Sequence, residues 1–317
     1  RSCLVGSEMC IRDRLMFVSE DYQGAVEQLE LWRNEAGVVD KSGLVLLSKA
    51  YYSLGQKDKA LALVEEVMKE TKEAGLVPKE GWLSYQWVLY YEKDRYKDTV
   101  PVSNQLLTHY PKIKYWKQLS AMYGALDETE KEMLALELTY LQDGLDKEKQ
   151  FVALAYQYMA FDAPYRAAKV LTNAMDEGKV ERTEKNLEVL GSAYQRAQEY
   201  RKASPVLEEV AKQSSEGNAW ARLASVYLNL NENEKALSAV KNALKKGKLK
   251  RQDIAWMNRG SAEAALHCYE DAAKSFSKAA KFEKVAKGAK SWKQYVVNEG
   301  ERRRKLIKNG AKLATCK

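Results

Sequence analysis

Residues Trp220 to Tyr227 read W-A-R-L-A-S-V-Y, and beyond the tyrosine follow Ala236 and, four residues later, Val240. As a helix, Trp220, Leu223 and Tyr227 fall at i, i+3 and i+7 and form one apolar stripe. Ala224, beside the leucine, is small enough for a second helix to approach closely. Trp116 to Tyr123 repeats the arrangement as W-K-Q-L-S-A-M-Y, and Leu187 to Tyr194 as L-E-V-L-G-S-A-Y. Aligned on the tyrosine, copies stand at Tyr51, Tyr90, Tyr123, Tyr158, Tyr194 and Tyr227, with Glu263 in the last. Second helices follow in Ala60 with Val64, Ala167 with Leu171, Ala203 with Leu207 and Ala272 with Phe276. Two copies depart, with Thr99 and Ser103 in one and Glu132 and Leu136 in another.

These residues, spaced 33 to 39 positions apart, resemble the tetratricopeptide repeat pattern W-x2-L-G-x2-Y…A-x3-F. The resemblance implies an all-α fold, a right-handed superhelical solenoid of antiparallel helix pairs. Seven full copies cover residues 40–283, and half of an eighth, truncated copy is visible in Asp21 to Trp32. Each aromatic ring has roughly 150–250 Å² to bury, so no pair is stable alone and stacking supplies the core. Ala289 to Ile307 reads as a capping helix, with Trp292, Tyr295, Val296 and Leu306 available to cover the last pair. The domain reading is thus a solenoid over 15–283, then a cap and basic tail over 284–317.

Residues 1–14 stand apart. Leu4 to Asp13 back-translate as CTC GTG GGC TCG GAG ATG TGT ATA AGA GAC, which resembles a sequencing-library transposon adapter, a contaminant of assembled metagenomic fragments. In the register of the truncated copy, Arg12 and Asp13 would occupy an apolar and a small position. A charge pair buried there without partners is costly, which agrees with a non-native segment. Without Cys3 and Cys10, only Cys268 in a turn and Cys316 at the end remain. They indicate neither a metal site nor a disulfide framework.

Composition narrows the function. Proline is scarce at 5 residues and no window approaches a membrane span, so long helices dominate. The net charge of +8 is concentrated: residues 281–317 hold 12 of the 52 Lys and Arg but 3 of the 44 Asp and Glu. The tail therefore carries +9 and the body −1, which argues against a nucleic-acid groove along the body. Both histidines fall in turns, His109 before Tyr110–Pro111 and His267 between the last two repeat helices. The runs Glu128–Glu130–Glu132 and Glu208–Glu209 read as solvated faces. No phosphate loop, zinc motif or nucleophile elbow occurs, so the expectation is a non-enzyme without cofactor, metal or small-molecule substrate.

In solenoids of this type the first helices line a groove. The flanking positions are Lys114, Lys117, Gln118, Lys149, Tyr156, Met159, Lys185, Gln195, Arg222 and Asn229. More are basic than acidic, which suits an extended segment carrying acidic residues or a C-terminal carboxylate. Chaperone-binding relatives place an asparagine four residues after a lysine, whereas Lys117 is followed by Ala121, so no such clamp is expected. Arg302, Arg303, Arg304 and Lys305 form a second candidate, a contact for an anionic surface.

Four runs carry a narrower resemblance: Tyr85 to Glu92 (Y-Q-W-V-L-Y-Y-E), Tyr115 to Gly124, Ala163 to Leu171 and Lys185 to Tyr194. They resemble exported repeat proteins of Gram-negative bacteria encoded beside the TonB–ExbB–ExbD energy-transducing machinery. The resemblance implies a periplasmic scaffold that assists that complex, with protein partners and no activity of its own. The competing expectations are a cytoplasmic adaptor for another peptide or protein, and an RNA or anionic-membrane binder acting through the tail.

Overall fold

The computed structural model describes residues 20–35 and 39–316. The adapter-like stretch and the register test at Arg12 and Asp13 lie outside the described residues. Among the described residues are sixteen α-helices and no strand. The first is α1 (Tyr22–Glu35), the second helix of the truncated copy. Seven helix pairs follow: α2 (Lys41–Ser53) with α3 (Lys57–Glu73), α4 (Glu80–Tyr91) with α5 (Tyr96–His109), and α6 (Ile113–Ala125) with α7 (Thr129–Leu141). Then come α8 (Glu148–Ala160) with α9 (Pro164–Asp176), α10 (Glu184–Arg196) with α11 (Tyr200–Gln213), α12 (Asn218–Asn229) with α13 (Asn233–Lys246), and α14 (Gln252–Ala265) with α15 (Tyr269–Ala279). The cap α16 (Ala286–Lys308) closes the series. The chain divides between Leu145 and Asp146 into two compact units, and within each unit every helix packs on the next.

Local chemistry starts and stops these helices. Asp40 caps α2 by accepting the Gly43 N–H at 3.1 Å, and Thr183 caps α10 by accepting that of Asn186 at 3.3 Å. Pro164 opens α9, where its missing N–H costs nothing. Each pair turns on one residue in the left-handed region, four positions after the signature tyrosine: Gly55, Asp94, Asp127, Asp162, Gln198, Asn231 and His267, at φ 53° to 75°. The N–H one residue later bonds back to the signature carbonyl, from Gln56 to Tyr51 at 2.9 Å through Cys268 to Glu263 at 2.8 Å. This closure satisfies a helix-end carbonyl and reverses the chain within three residues.

The apolar stripes make the core. Tyr51, Tyr90, Tyr158, Tyr194 and Tyr227 are buried, Tyr123 is half-buried, and Ala60, Ala167, Ala203, Ala236 and Ala272 have almost no exposure. The small first-helix residue faces the large second-helix residue of its own pair. A Cβ on Gly191 would lie 2.6 Å from Leu207, and one on Gly260 would lie 2.8 Å from the Phe276 ring. The tyrosine hydroxyls reach back to the preceding second helix. Tyr51 donates to Glu30 of α1 at 2.8 Å, Tyr90 to Glu65 of α3 at 2.9 Å, and Tyr227 to Glu208 of α11; Tyr194 pairs with Thr172 of α9 at 2.7 Å. Glu208 is therefore a repeat-to-repeat partner and not part of a solvated run, because a phenol pointed at a packed neighbour needs an acceptor.

Three further expectations are corrected. His109 is the last residue of α5, one position before the turn. In the cap, Val296 and Ala289 are fully buried and Trp292 stacks on Phe276 at 6.1 Å, but Leu306 is exposed and the exposed Tyr295 meets the Trp292 ring edge-on at 5.7 Å. Cys268 and Cys316 are joined in a disulfide, because the chain beyond α16 folds back onto the turn before α15. That return path is invisible in the spacing of the cysteines.

Candidate functional site

In the second unit the first helices α8, α10, α12 and α14 are bridged by side chains. Asn186 Nδ2 donates to Glu148 at 2.7 Å, and Arg196 donates to the Met159 carbonyl at 3.0 Å and to Asp162 at 3.1 Å. Arg222 bonds Ser192 and reaches Gln195 Oε1 at 3.5 Å, and Asn258 donates to Ser225 at 2.7 Å. The result is a polar ladder running across the first helices, with two rungs between α8 and α10 and one at each later step.

Four of the sequence-chosen residues, Met159, Gln195, Arg222 and Asn229, belong to this face. Asn229 turns its amide onto the Ser225 carbonyl at 2.8 Å. Tyr156, Lys149 and Lys185 are exposed beside the ladder. Arg222 is the half-buried centre. Burial lowers its guanidinium from the ordinary value, and the nearby Glu188 carboxylate pulls the other way. Its hydrogen-bond partners, Ser192 and Gln195, are neutral, and Glu188 is the carboxylate that acts on its charge.

Lys114, Lys117 and Gln118 lie on α6 in the first unit. Lys114 stands 3.4 Å from Glu80 and over the Tyr115 ring at 4.7 Å. Lys112 and the Tyr115 hydroxyl also bond Glu80, and with Lys112 leading they hold its carboxyl down at about 2. Lys114 is thus committed to a local cluster. Gln118 Oε1 is shielded from solvent without a hydrogen-bond partner.

The C-terminal cations are largely engaged. Arg302 pairs with Glu299 at 2.8 Å, Arg303 donates to the Ala314 carbonyl at 2.8 Å and lies over the Tyr269 ring, and Arg304 stands 3.4 Å from Glu270. Lys305 is exposed. Among the described residues no group of three or more His, Cys, Asp or Glu is placed to hold a metal ion, and no helix is long and apolar enough to cross a membrane. The ladder was only partly readable in advance. Ser192 and Asn258 are ordinary surface types, and only the stacking of neighbouring first helices shows that they are rungs.

Stacked helix pairs, signature stripes and a polar first-helix face make a helical-repeat fold of the tetratricopeptide type. The tetratricopeptide repeat family matches residues 217–245, which are the α12/α13 pair. No curated protein matches. Among solved structures, the chain is similar to Naa15/Naa10 bound to HypK-THB, at 12% identity and a TM-score of 0.53, over 87% of this chain and 41% of that one. It is also similar to MamA of MSR-1, at 21% identity and a TM-score of 0.45, over 55% and 98% of the two chains. A tetratricopeptide repeat protein from Parabacteroides merdae gives 14% identity and a TM-score of 0.37 over 81% and 98%.

Proposed function

We propose that this chain is a protein-binding scaffold whose second-unit first-helix face receives an extended segment bearing carboxylates. The observation that carries the reading is the ladder centred on Arg222, a half-buried cation hydrogen-bonded to neutral Ser192 and Gln195, with the Glu188 carboxylate nearby, on the polar first-helix face. Fixed donors on rigid helices bind an extended chain with little reorganisation. Replacing Arg222 with alanine is expected to weaken capture of an acidic peptide about tenfold or more, with alanine at Lys114 far less harmful. Equal losses at both positions would refute the site.

The finer reading is a periplasmic scaffold working with the TonB–ExbB–ExbD complex. The four runs described above support the partner, and the Cys268–Cys316 disulfide supports an oxidising compartment over the cytoplasm. The test is in-cell cross-linking of the exported chain in a Gram-negative host, followed by affinity capture. TonB, ExbB or ExbD should be recovered in an Arg222-dependent way. Recovery of chaperones or ribosomal proteins alone would sink the assignment.

A further inference from the structure

The disulfide lies away from the ladder and ties the segment beyond α16 to the turn before α15. Cys268 is the residue before α15 and is 7% exposed, whereas Cys316 is exposed. They are 48 positions apart. Beyond α16 the chain turns at Gly310 (φ 91°), with the Ala311 N–H on the Leu306 carbonyl at 3.0 Å. Between there and Cys316, Arg303 donates to the Ala314 carbonyl at 2.8 Å. Lys312, Ala314 and Thr315 are exposed. Beneath the tail lies a cavity of about 490 Å³, with Tyr269, Ala273, Val296, Gly300 and Arg303 among its walls and Ala314 to Cys316 as one side. The α15/α16 interface stands on other contacts, namely Val296, Ala289 and the Phe276–Trp292 stack.

We propose that the Cys268–Cys316 disulfide is an exchangeable strap, a modification site for a protein or small-molecule dithiol whose reaction uncovers the α15/α16 cavity. A thiolate of the dithiol attacks Sγ of Cys316, the exposed residue of the pair. The S–S bond breaks, and Cys268 leaves as a thiolate at the start of α15, where the unpaired helix N–H groups favour negative charge. Cys268 then takes a proton. The second thiol of the reagent, deprotonated, attacks its own sulfur in the mixed disulfide and releases Cys316 as a thiolate, which is protonated in turn. The protein gains two electrons and two protons, and the dithiol becomes its disulfide. With the covalent tie gone, a tail whose Lys312, Ala314, Thr315 and Cys316 are exposed lies near the low end of local stability. The tail swings away and the cavity wall opens while the helices stay paired. The proposal does not depend on the TonB reading, since it rests on the strap's geometry alone.

The test uses the full chain with Cys3 and Cys10 replaced by serine. Millimolar dithiothreitol at neutral pH is followed by alkylation, peptide mapping, far-UV circular dichroism and amide exchange. Both Cys268 and Cys316 should become alkylated with the helical signal unchanged. Amide exchange should rise about tenfold over 311–316 and over the cavity wall at 269–273, while α12 and α13 stay constant. The Cys316→Ser variant should show the same exchange pattern without reductant. Three results would each overturn the proposal: alkylation that needs denaturant, reduction with no change at 269–273, or loss of helical signal together with reduction.

Discussion

The sixth pair, α12/α13, and the seventh, α14/α15, share one backbone plan and use their polar groups in opposite directions. In the sixth, Tyr227 passes its hydroxyl to Glu208 of the preceding pair, and Asn218 donates to the Lys248 carbonyl ahead at 3.1 Å. In the seventh, the signature position is Glu263, buried and satisfied inside its own pair by Arg259 at 2.7 Å and Ser275 at 2.5 Å. Cys268, the residue after its turn residue His267, is tied to the tail. An internal pair spends its hydrogen bonds on neighbours. The terminal pair still reaches back through Asn258 to Ser225, but it keeps the bonds of its signature residue inside itself and ties its turn to the tail beyond the cap. This is the side-chain form of a general need, that the last unit of a solenoid must end the stack without leaving groups unpaired.

The largest test of that difference is steric. Gly260 faces the Phe276 ring, whereas the register equivalents in the sixth pair are Ala224 and Val240. Phe276→Ala should cost about 3–5 kcal/mol, and Gly260→Ala about 1–3 kcal/mol by overpacking against the ring. The double substitution Gly260→Ala with Phe276→Val rebuilds the sixth-pair combination and should cost less than the sum of its single changes. Denaturant unfolding of the four proteins checks this. Strict additivity would mean that the two positions do not share one space.

Next in size is the strap. Removing a cross-link that closes a loop of 48 positions frees the unfolded chain, and about 2–4 kcal/mol of stability should go with it. The loss should fall on the seventh pair and cap, so that hydrogen exchange slows from the last pair inward. A Cys268→Ser chain that unfolds at the same denaturant concentration as its parent would remove the covalent half of the comparison.

What could be read from the residues alone follows the same division. The seven pairs were legible because Trp, Leu, a small residue and Tyr at helical spacing form a local pattern that recurs every 33 to 39 residues. The turn residue was legible in principle too, four after the tyrosine, since Gly55, Asp94, Asp127, Asp162 and Asn231 are types that tolerate the left-handed region. Gln198 and His267 at the same position hide the rule. Tyrosine partners were not legible, because Glu30, Glu65, Thr172 and Glu208 precede their tyrosines by varying intervals set by loop length. On the candidate face, Arg222 and Gln195 were chosen individually; their meeting, and the involvement of Ser192 and Asn258, depend on the offset between neighbouring helices. The disulfide depends on the path of a tail without periodicity.

A smaller effect separates the two pairs through the hydroxyl. Tyr227→Phe keeps the ring and removes the bond to Glu208, so about 2 kcal/mol should be lost, the range for a bond to a charged partner. Glu208→Gln keeps an acceptor and should lose less. In the seventh pair, Glu263→Gln weakens the Arg259 and Ser275 contacts without affecting α12 or α13, because both partners lie in the same pair. If exchange in α13 rises on Glu263→Gln, the terminal pair is not self-contained.

The subtlest contrast is alkaline. Burial first, and the Glu30 and Glu65 hydrogen bonds second, push the phenols of Tyr51 and Tyr90 up to about 12. Both cases favour the protonated form in the folded chain. The unfolded chain loses its phenol protons near the ordinary value of about 10, so above that pH its free energy falls while that of the folded chain does not. Their contribution is therefore complete below pH 10 and drains away as pH rises toward 12. Phenylalanine at Tyr51 and Tyr90 should flatten that decline in a pH series of unfolding midpoints, whereas substituting Glu263, which carries no phenol, should leave its slope unchanged. If the doubly substituted chain declines as steeply as its parent, the buried tyrosine–carboxylate contacts are not what makes the internal pairs alkali-sensitive.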